Sequence, residues 1–358
     1  MDEDQFMKLA ESTPQLGVIL VTYNSSDVIL DCLESLLASQ KVNLRVAIVD
    51  NDSNDGTPQL IRRWAEGKEN APLANLPVDI GNIKKPVTIG NNFSAEDSKH
   101  SVVLFETGEN LGFAGGVNFG MKMLSALPSV DKFWILNPDT VVPKFTAHCF
   151  ATFGANDDDF SLLGGRVLYV DKPDMLQIDG GTINWHTGIT GNLNLFRKIT
   201  ETRPPSSSDI DFVTGASMVV SRQFYEIVGP MKEDYFLYYE EVDWAMRRGN
   251  LSLAICPEAL VYHRAGSSIG SASLGRPASP FSLYFKHRSR IMFLRRFRPR
   301  SVPIGLSWSL LKAGQLVAKG WRKEASALLA GSFGKRPPEE VRKILSDKVL
   351  KKLKLENN

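Results

Sequence analysis

Short apolar runs alternate with polar, turn-forming stretches through the first 140 residues. Residues 16–21 (LGVILV), 44–49 (LRVAIV), 102–106 and 133–136 are brief and rich in β-branched or aromatic side chains, and they predict buried strands. Between the first two, Ser26 or Asp27 is placed to cap a helix running to Ser39, with Ile29, Leu30, Leu33, Leu36 and Leu37 on one face. A second helix is expected from Pro58 to about Glu66, and a third ends near Leu127. Strand, loop and helix in this order predict a parallel sheet with crossover helices. Residues 67–99 are polar, rich in Gly, Pro and Asn, and lack periodicity. They predict a long excursion with one short strand at 87–89.

Beyond the fourth strand the pattern predicts a helix over 146–153, a strand over 162–170, a hairpin over 178–189 and a strand within 211–220. A helix over 222–228 follows, then a short one ending at Arg248 and two strands, 253–256 and 259–262. From residue 281 the character changes. Aromatics interleave with Lys and Arg over 281–297, residues 302–331 read as one amphipathic helical stretch, and 337–355 as a charged final helix.

Three stretches offer chemistry. The run 133–136 ends in Asn137-Pro138-Asp139. Pro138 cannot continue a central strand, so the chain turns and leaves the Asp139 carboxylate at a strand's carboxyl end, where open α/β sheets bind ligands. Such a carboxylate suits Mg²⁺ or Mn²⁺ with phosphate oxygens completing the shell. Asp50 and Asp52 also follow a strand and could accept from a base N–H or a ribose hydroxyl, although Asp-Ser-Asn-Asp-Gly equally suits an Asx turn and helix cap. Gly112, Gly115 and Gly116 open a helix in a form that suits phosphate or sugar, or helix–sheet packing; the pattern matches neither the dinucleotide fingerprint nor the P-loop. Glu240, Glu241 and Asp243 cluster after an aromatic run. Partial desolvation there would raise their pKa values and suit a general base, while a helix N-terminus would also favour such charge. At helical spacing Glu240 and Asp243 share a face and Glu241 points away. His263 ends a strand before a Gly-Ser loop, where a lone His is either structural or a metal ligand.

The 358 residues and 43% hydrophobic content are ordinary for a globular protein with a sizeable core. Three widely spaced cysteines form no zinc-type or redox pair and suit a reducing compartment. Residues 1–14 are acidic and polar, so no secretory signal is expected, and no run of eighteen apolar residues predicts a membrane span. The overall charge of +2 hides an asymmetry. Residues 281–358 hold 19 Lys and Arg against 5 Asp and Glu, so an acidic body precedes a basic extension. Such extensions bind anionic membrane, acidic partners or nucleic acid. No nucleic-acid recognition motif is present, and nucleic acid is not an expected partner.

Taken in order, Val21-Thr22-Tyr23-Asn24, Asp50-Asn51-Asp52-Ser53, Asn110-Leu111-Gly112-Phe113-Ala114-Gly115-Gly116-Val117-Asn118, Asn137-Pro138-Asp139, Thr214-Gly215-Ala216, Tyr239-Glu240-Glu241-Val242-Asp243 and His263 resemble the family 2 inverting glycosyltransferases, in their bacterial rhamnosyltransferase-like branch. The resemblance spans roughly residues 16–296. It implies a GT-A fold, with a Rossmann-like, mostly parallel sheet flanked by helices, a nucleotide-diphosphate sugar donor and a divalent metal. By position, Thr22, Tyr23, Asn24, Asp50 and Asp52 would hold the nucleoside, and Gly112, Gly115, Gly116 and Asn118 would lie along the diphosphate and sugar. Asp139 would bind Mg²⁺ or Mn²⁺ with His263, and Asn137 stands where the family's metal motif has its first acid. Glu241 stands where the family's base is usually Asp, with Glu240 and Asp243 beside it. The implied arrangement is a glycosyltransferase domain over 15–280, its nucleotide half about 15–140 and its acceptor half about 141–280, followed by a basic helical extension over 281–358. The implied acceptor is a saccharide or polyprenol-linked saccharide of cell-surface polysaccharide synthesis, with rhamnose among the donor sugars. The expected location is cytoplasmic, peripheral at the inner face of the membrane. A sugar nucleotidyltransferase would carry a basic, Gly-rich loop after the first strand, which Val21-Thr22-Tyr23-Asn24 is not. A non-catalytic GT-A-like scaffold would not need Asp139, Glu241 and His263 together.

Overall fold

The computed structural model describes residues 13–72, 79–93, 99–154, 160–264, 277–345, 347–353 and 355. Four parallel strands open the chain's sheet: β1 (Gln15–Thr22), β2 (Asn43–Asp50), β4 (Ser101–Glu106) and β5 (Lys132–Leu136), with a two-residue β3 (Ile89–Gly90) at the edge. The side chains of β1 alternate as a two-sided strand should. Leu16, Val18 and Leu20 enter one core with the helices α1 (Ile29–Leu37) and α2 (Thr57–Ala65). Ile19 enters the other with α3 (Gly112–Ser125). Gly120 and Gly116 let α3 approach β1: a Cβ on Gly120 would lie 2.7 Å from Ile19, and one on Gly116 2.6 Å from Val21.

After β5 come the two-residue β6 (Thr140–Val141), the helix α4 (Thr146–Thr152) and the long β7 (Phe160–Tyr169). β8 (Leu176–Ile178) pairs antiparallel with β7, and β9 (Gly181–Asn184) and β10 (Ile189–Asn192) form a separate hairpin. β11 (Ser217–Ser221) lies antiparallel between β5 and β7, and β12 (Ser252–His263) runs parallel to β7. The path across the sheet is β3-β4-β2-β1-β5-β11-β7-β12-β6. Two antiparallel steps at β11 restore the direction, so the carboxyl ends of β1, β2, β5 and β12 open on one edge. This is the mixed, mostly parallel α/β sheet expected. On its far side, α5 (Arg222–Val228) and α6 (Glu240–Met246) add Phe224, Val242 and Trp244 to the second core.

Helices follow from residue 280: α7 (Pro280–Phe297), α8 (Val302–Ala318), α9 (Arg322–Ser332), and the short α10 (Glu339–Arg342) and α11 (Asp347–Lys352). Ser279 caps α7 by accepting from the Ser282 N–H at 3.2 Å, with Pro280 at the first helical position. Among the described residues no helix is long and apolar enough to cross a membrane.

Several boundaries differ from the sequence expectation. The stretch 302–331 breaks at Gly320, which takes φ +84°, and 337–355 forms two short helices rather than one. The expected strands 253–256 and 259–262 are one strand, β12, with an irregularity between Ile255 and Leu260. Neither Ser26 nor Asp27 caps α1; the Ser25 carbonyl accepts from the Val28 and Ile29 N–H groups instead. Only 217–221 of the expected strand 211–220 is regular, because Thr214 to Ala216 leave the sheet to line the cavity described below. The leader, residues 1–12, and the Gly-Ser loop after Arg264 lie outside the described residues.

Candidate active site

A cavity of about 580 Å³ opens at the carboxyl edge of the sheet. That volume suits a ligand of drug or nucleotide size. Its lining comes from the ends of β1, β2, β5 and β12, the start of α3, the turn before α6 and the helical region beyond residue 277.

Asp139 and His263 meet because β6 pairs with the end of β12: His263 stands opposite Thr140, and Tyr262 opposite Val141. The Asp139 Oδ1 to His263 Nε2 distance is 3.1 Å, and both side chains are largely buried. His263 Nδ1 lies 2.7 Å from Gln177 Oε1 on β8. This contact orients the ring so that Nε2 is the nitrogen turned toward Asp139 and the cavity. A bidentate pair between buried Arg166 on β7 and Asp179 (3.0 and 2.8 Å) braces the turn that carries Gln177. Imidazole nitrogen with carboxylate and amide oxygens is a donor set that Mn²⁺ or Mg²⁺ accepts. No group of three His, Cys, Asp or Glu side chains converges among the described residues. Asp139 and His263 supply one carboxylate and one imidazole to such a donor set. Asn137 also lines the cavity, with its N–H bonded to the Ala216 carbonyl at 2.9 Å.

Glu240 and Glu241 stand at the other side, in the first turn of α6. The turn that delivers them is unusual: Phe236, Tyr238 and Tyr239 all have φ between +67° and +70°. Each left-handed non-glycine residue costs about 1 kcal/mol, a strain held by the surrounding packing. Phe236 is clamped against Phe285, with ring centroids 5.0 Å apart, and its carbonyl accepts from the Phe113 N–H. Tyr239 donates to the Gly188 carbonyl at 2.6 Å. Burial, then repulsion from Glu241, pushes the Glu240 carboxyl well above the usual carboxylate range. Burial pushes Glu241 up to about 6, with the ammonium of Lys286 pulling the other way. Burial thus disfavours a charge on both carboxyls, most strongly on Glu240. Glu240 Oε2 is buried with no hydrogen-bond partner among the described residues.

The remaining expected site residues divide. Tyr23 and Gly112 line the cavity. Thr22 and Asp50 are buried beneath it: Thr22 Oγ1 donates to Asp50 at 2.8 Å, and Ser53 donates to Asp50 from both its N–H and hydroxyl. This is the Asx-turn arrangement, and the side chain left facing the cavity is that of Asn51. Asn51 Nδ2 donates to the Gly112 carbonyl at 2.9 Å, while its Oδ1 is buried without a partner among the described residues. Asn24 bonds the loop after β2, and Asp52 is exposed; neither lines the cavity. Gly115 and Gly116 face Leu111 and Val21 rather than the cavity, so they serve helix packing. Asn118 spends its amide on Met231 and Glu233. Asp243, grouped with the two glutamates by sequence, is fully buried outside the cavity and bonded to Arg247, Arg296 and Tyr235. It ties α6 to α7, and its carboxylate is unavailable as a base.

Sequence reasoning did not reach Gln177, Asn51 or the wall formed by Ser279, Phe281, Ile344 and Leu345. That wall is held by a small core in which Val341, Val349, Leu350, Leu353 and Leu355 pack on Phe236, Tyr284 and Phe285. Lys348–Glu109 (3.9 Å) and Lys352–Glu233 (3.1 Å) bridge it to the α3 side.

Residues 17–80, which hold β1, β2 and their loops, match the family model "Glycosyl transferase family 2". Over this segment the chain is similar to the family 2 glycosyltransferases. The chain is 25% identical over 301 residues to an N-acetylglucosaminyl-diphospho-decaprenol L-rhamnosyltransferase of Mycobacterium tuberculosis, covering 79% of this chain and 84% of the relative. It is 23% identical over 236 residues to the low-salt glycan biosynthesis hexosyltransferase Agl10 of Haloferax volcanii, covering 63% and 72%. Among solved structures, GalNAc-T7 with UDP, GalNAc and Mn²⁺ superposes with a TM-score of 0.51 at 10% identity, over 96% of this chain and 59% of that one. The fold is the GT-A arrangement.

Proposed function

We propose that this glycosyltransferase moves a sugar, rhamnose being the first to test, from a nucleotide-diphosphate donor to a saccharide or lipid-linked saccharide, with inversion. The observation that carries the reading is one cavity lined on one side by Asp139 and His263 and on the other by the buried glutamates Glu240 and Glu241, whose pKa values burial raises. Named relatives that transfer rhamnosyl and hexosyl groups support the substrate class.

Asn51 would accept from the donor's base N–H through its bare Oδ1, beside the ring of Tyr23. Gly112, which takes φ +75°, lets the chain pass close to the donor between Asn110 and Phe113. Asp139 and His263, with Asn137 adjacent, would hold Mg²⁺ or Mn²⁺ against the donor diphosphate, and the bound cation would offset charge developing on the leaving phosphate. Glu241 takes the proton of the acceptor hydroxyl as that oxygen attacks the anomeric carbon. Burial raises the pKa of Glu240, which limits the negative charge placed beside the base. A single displacement breaks the bond to the diphosphate as the bond to the acceptor forms. The basic helical region after residue 280 would meet an anionic membrane surface, the place of a lipid-linked acceptor.

The test is a panel of nucleotide sugars screened by thermal shift with Mn²⁺ or Mg²⁺, followed by transfer to an N-acetylglucosaminyl-diphospho-lipid. A cation-dependent rise in midpoint with one donor class, and an inverted product, are expected. No shift with any nucleotide sugar would overturn the reading.

A further inference from the structure

Helix α8 is 17 residues long, about 25 Å. Its inner face is small and well packed. Gly305 lies against Leu294, and Ala313 and Leu316 pack with Leu283 and Leu328. The hydroxyl of Ser309 accepts from Arg290 at 2.6 Å. Its outer face is apolar and open to solvent. Leu311 is 63% exposed, Leu310 54%, Ile304 49% and Val317 48%, separated by Ser307 and Gly314. Lys312 is the sole charged residue in the helix, and it stands on the flank. Solvent-exposed helices of globular proteins carry charge on their outer face, so this face is built to be covered.

The charge around it says by what. Between Glu258 and Glu324 the sequence holds no Asp or Glu and 13 Lys and Arg. Exposed Arg295 and Arg300 flank the amino-terminal end of α8, and exposed Lys319 and Arg322 the other. An apolar stripe between cationic ends, on a stretch with no Asp or Glu between residues 258 and 324, matches an anionic bilayer: leucines enter the acyl boundary while the cations meet phosphate. A second copy of this surface would bring like charges together.

We propose that the outer face of α8 (Ile304, Leu310, Leu311 and Val317) seats the enzyme in the plane of an anionic membrane. The proposal rests on the membrane-facing reading of the helical region given above and narrows it to one helix face. Leu316 and Leu283 pack together at the end of α7 that carries Ser279 and Phe281. The seat is therefore on the helix that packs against α7, whose start forms part of the cavity wall.

The test uses the full chain and sedimentation with vesicles, without donor or acceptor. Binding is expected to vesicles of phosphatidylcholine and phosphatidylglycerol at 1:1, and at least tenfold weaker binding to phosphatidylcholine alone. The variant Ile304→Glu/Leu311→Glu should lose at least about a hundredfold in vesicle affinity, about tenfold per buried apolar side chain, with an unchanged circular dichroism melt. Replacing Arg300 and Lys319 by Gln should weaken binding to the anionic vesicles alone. Undiminished vesicle binding by the Glu variant would overturn the proposal. So would a wild-type dimer that the Glu variant converts to monomer without change in vesicle binding. Transfer to a water-soluble acceptor reports on the catalytic reading separately, because neither substitution touches the cavity.

Discussion

Asp139, His263 and Asn51 hang from the ends of sheet strands, whereas Glu240 and Glu241 stand after a turn of three left-handed residues, closed off by helices from the end of the chain. On the strand side each polar group is set by a hydrogen bond that the sheet dictates: His263 by Gln177, Asn51 by Gly112, and Asp139 by the pairing of β6 with β12. On the glutamate side, position depends on packing. Phe236 is pressed on Phe285, Asp243 is tied to Arg296, and the small core around Val341 and Leu350 covers the turn. A metal–diphosphate site needs fixed charges with little reorganisation. A base needs desolvation, which a strained turn under an apolar cover supplies.

The sharpest break in that contrast is Glu241→Gln. Transfer should fall about a thousandfold, with nucleotide-sugar binding retained by thermal shift. In the parent, kcat should rise with pH through about 6 and level off above, since the base must be ionised and burial has raised its pKa. Loss of donor binding in Glu241→Gln would assign the residue to the donor side instead. On the strand side, Asp139→Ala should cost at least about a hundredfold in turnover and abolish the dependence of donor binding on Mn²⁺. Donor binding with an unchanged cation dependence would remove Asp139 from the metal.

Gln177→Ala sharpens the comparison at one remove. Freed of its Nδ1 partner, His263 should weaken apparent Mn²⁺ affinity about tenfold, read as a shifted metal titration with saturated turnover little changed. A merely structural role would lower turnover at every metal concentration. Leu345→Asp, in the wall from the end of the chain, should raise the acceptor KM several-fold and leave the donor KM alone. A smaller effect on stability is expected from Glu240→Gln. The folded state raises this carboxyl's pKa, so its burial penalises stability above the ordinary carboxylate range, and the penalty fades as pH falls through that range. The amide should therefore gain about 1 kcal/mol, a few degrees in Tm, at pH 8 and nothing near pH 4.

The early strand order and the strand-end position of Asp139 were legible in the pattern because they follow from local rules. A run such as Phe133 to Leu136 must be buried, Pro138 must end it, and Asp139 must then appear at the sheet edge. His263 was found the same way, as the last residue of an apolar strand. The glycines and acids of the other motifs misled where one residue type serves two purposes. Gly116 could meet phosphate or Val21, and Asp50 a ribose or its own loop; the side chain that faces the cavity is the neighbour, Asn51. Helix ends after residue 300 were misjudged because the break at Gly320 depends on how α8 and α9 pack against α7.

By itself, the sequence determined the alternating strands and helices, the carboxylate of Asp139 at a strand end, the acids at 240–243 and the basic character of the last helices. These depend on periodicity, turn chemistry and charge, which act over a few residues. The tertiary structure alone decided that Gln177 lies against His263, that Asp243 is a strut rather than a base, and that burial raises the pKa values of Glu240 and Glu241. It also decided that Ile344 and Leu345 close a cavity begun at Val21. Each of these depends on burial and on contacts between residues far apart in the chain, and no local pattern encodes how much water a carboxylate keeps once distant segments have packed around it.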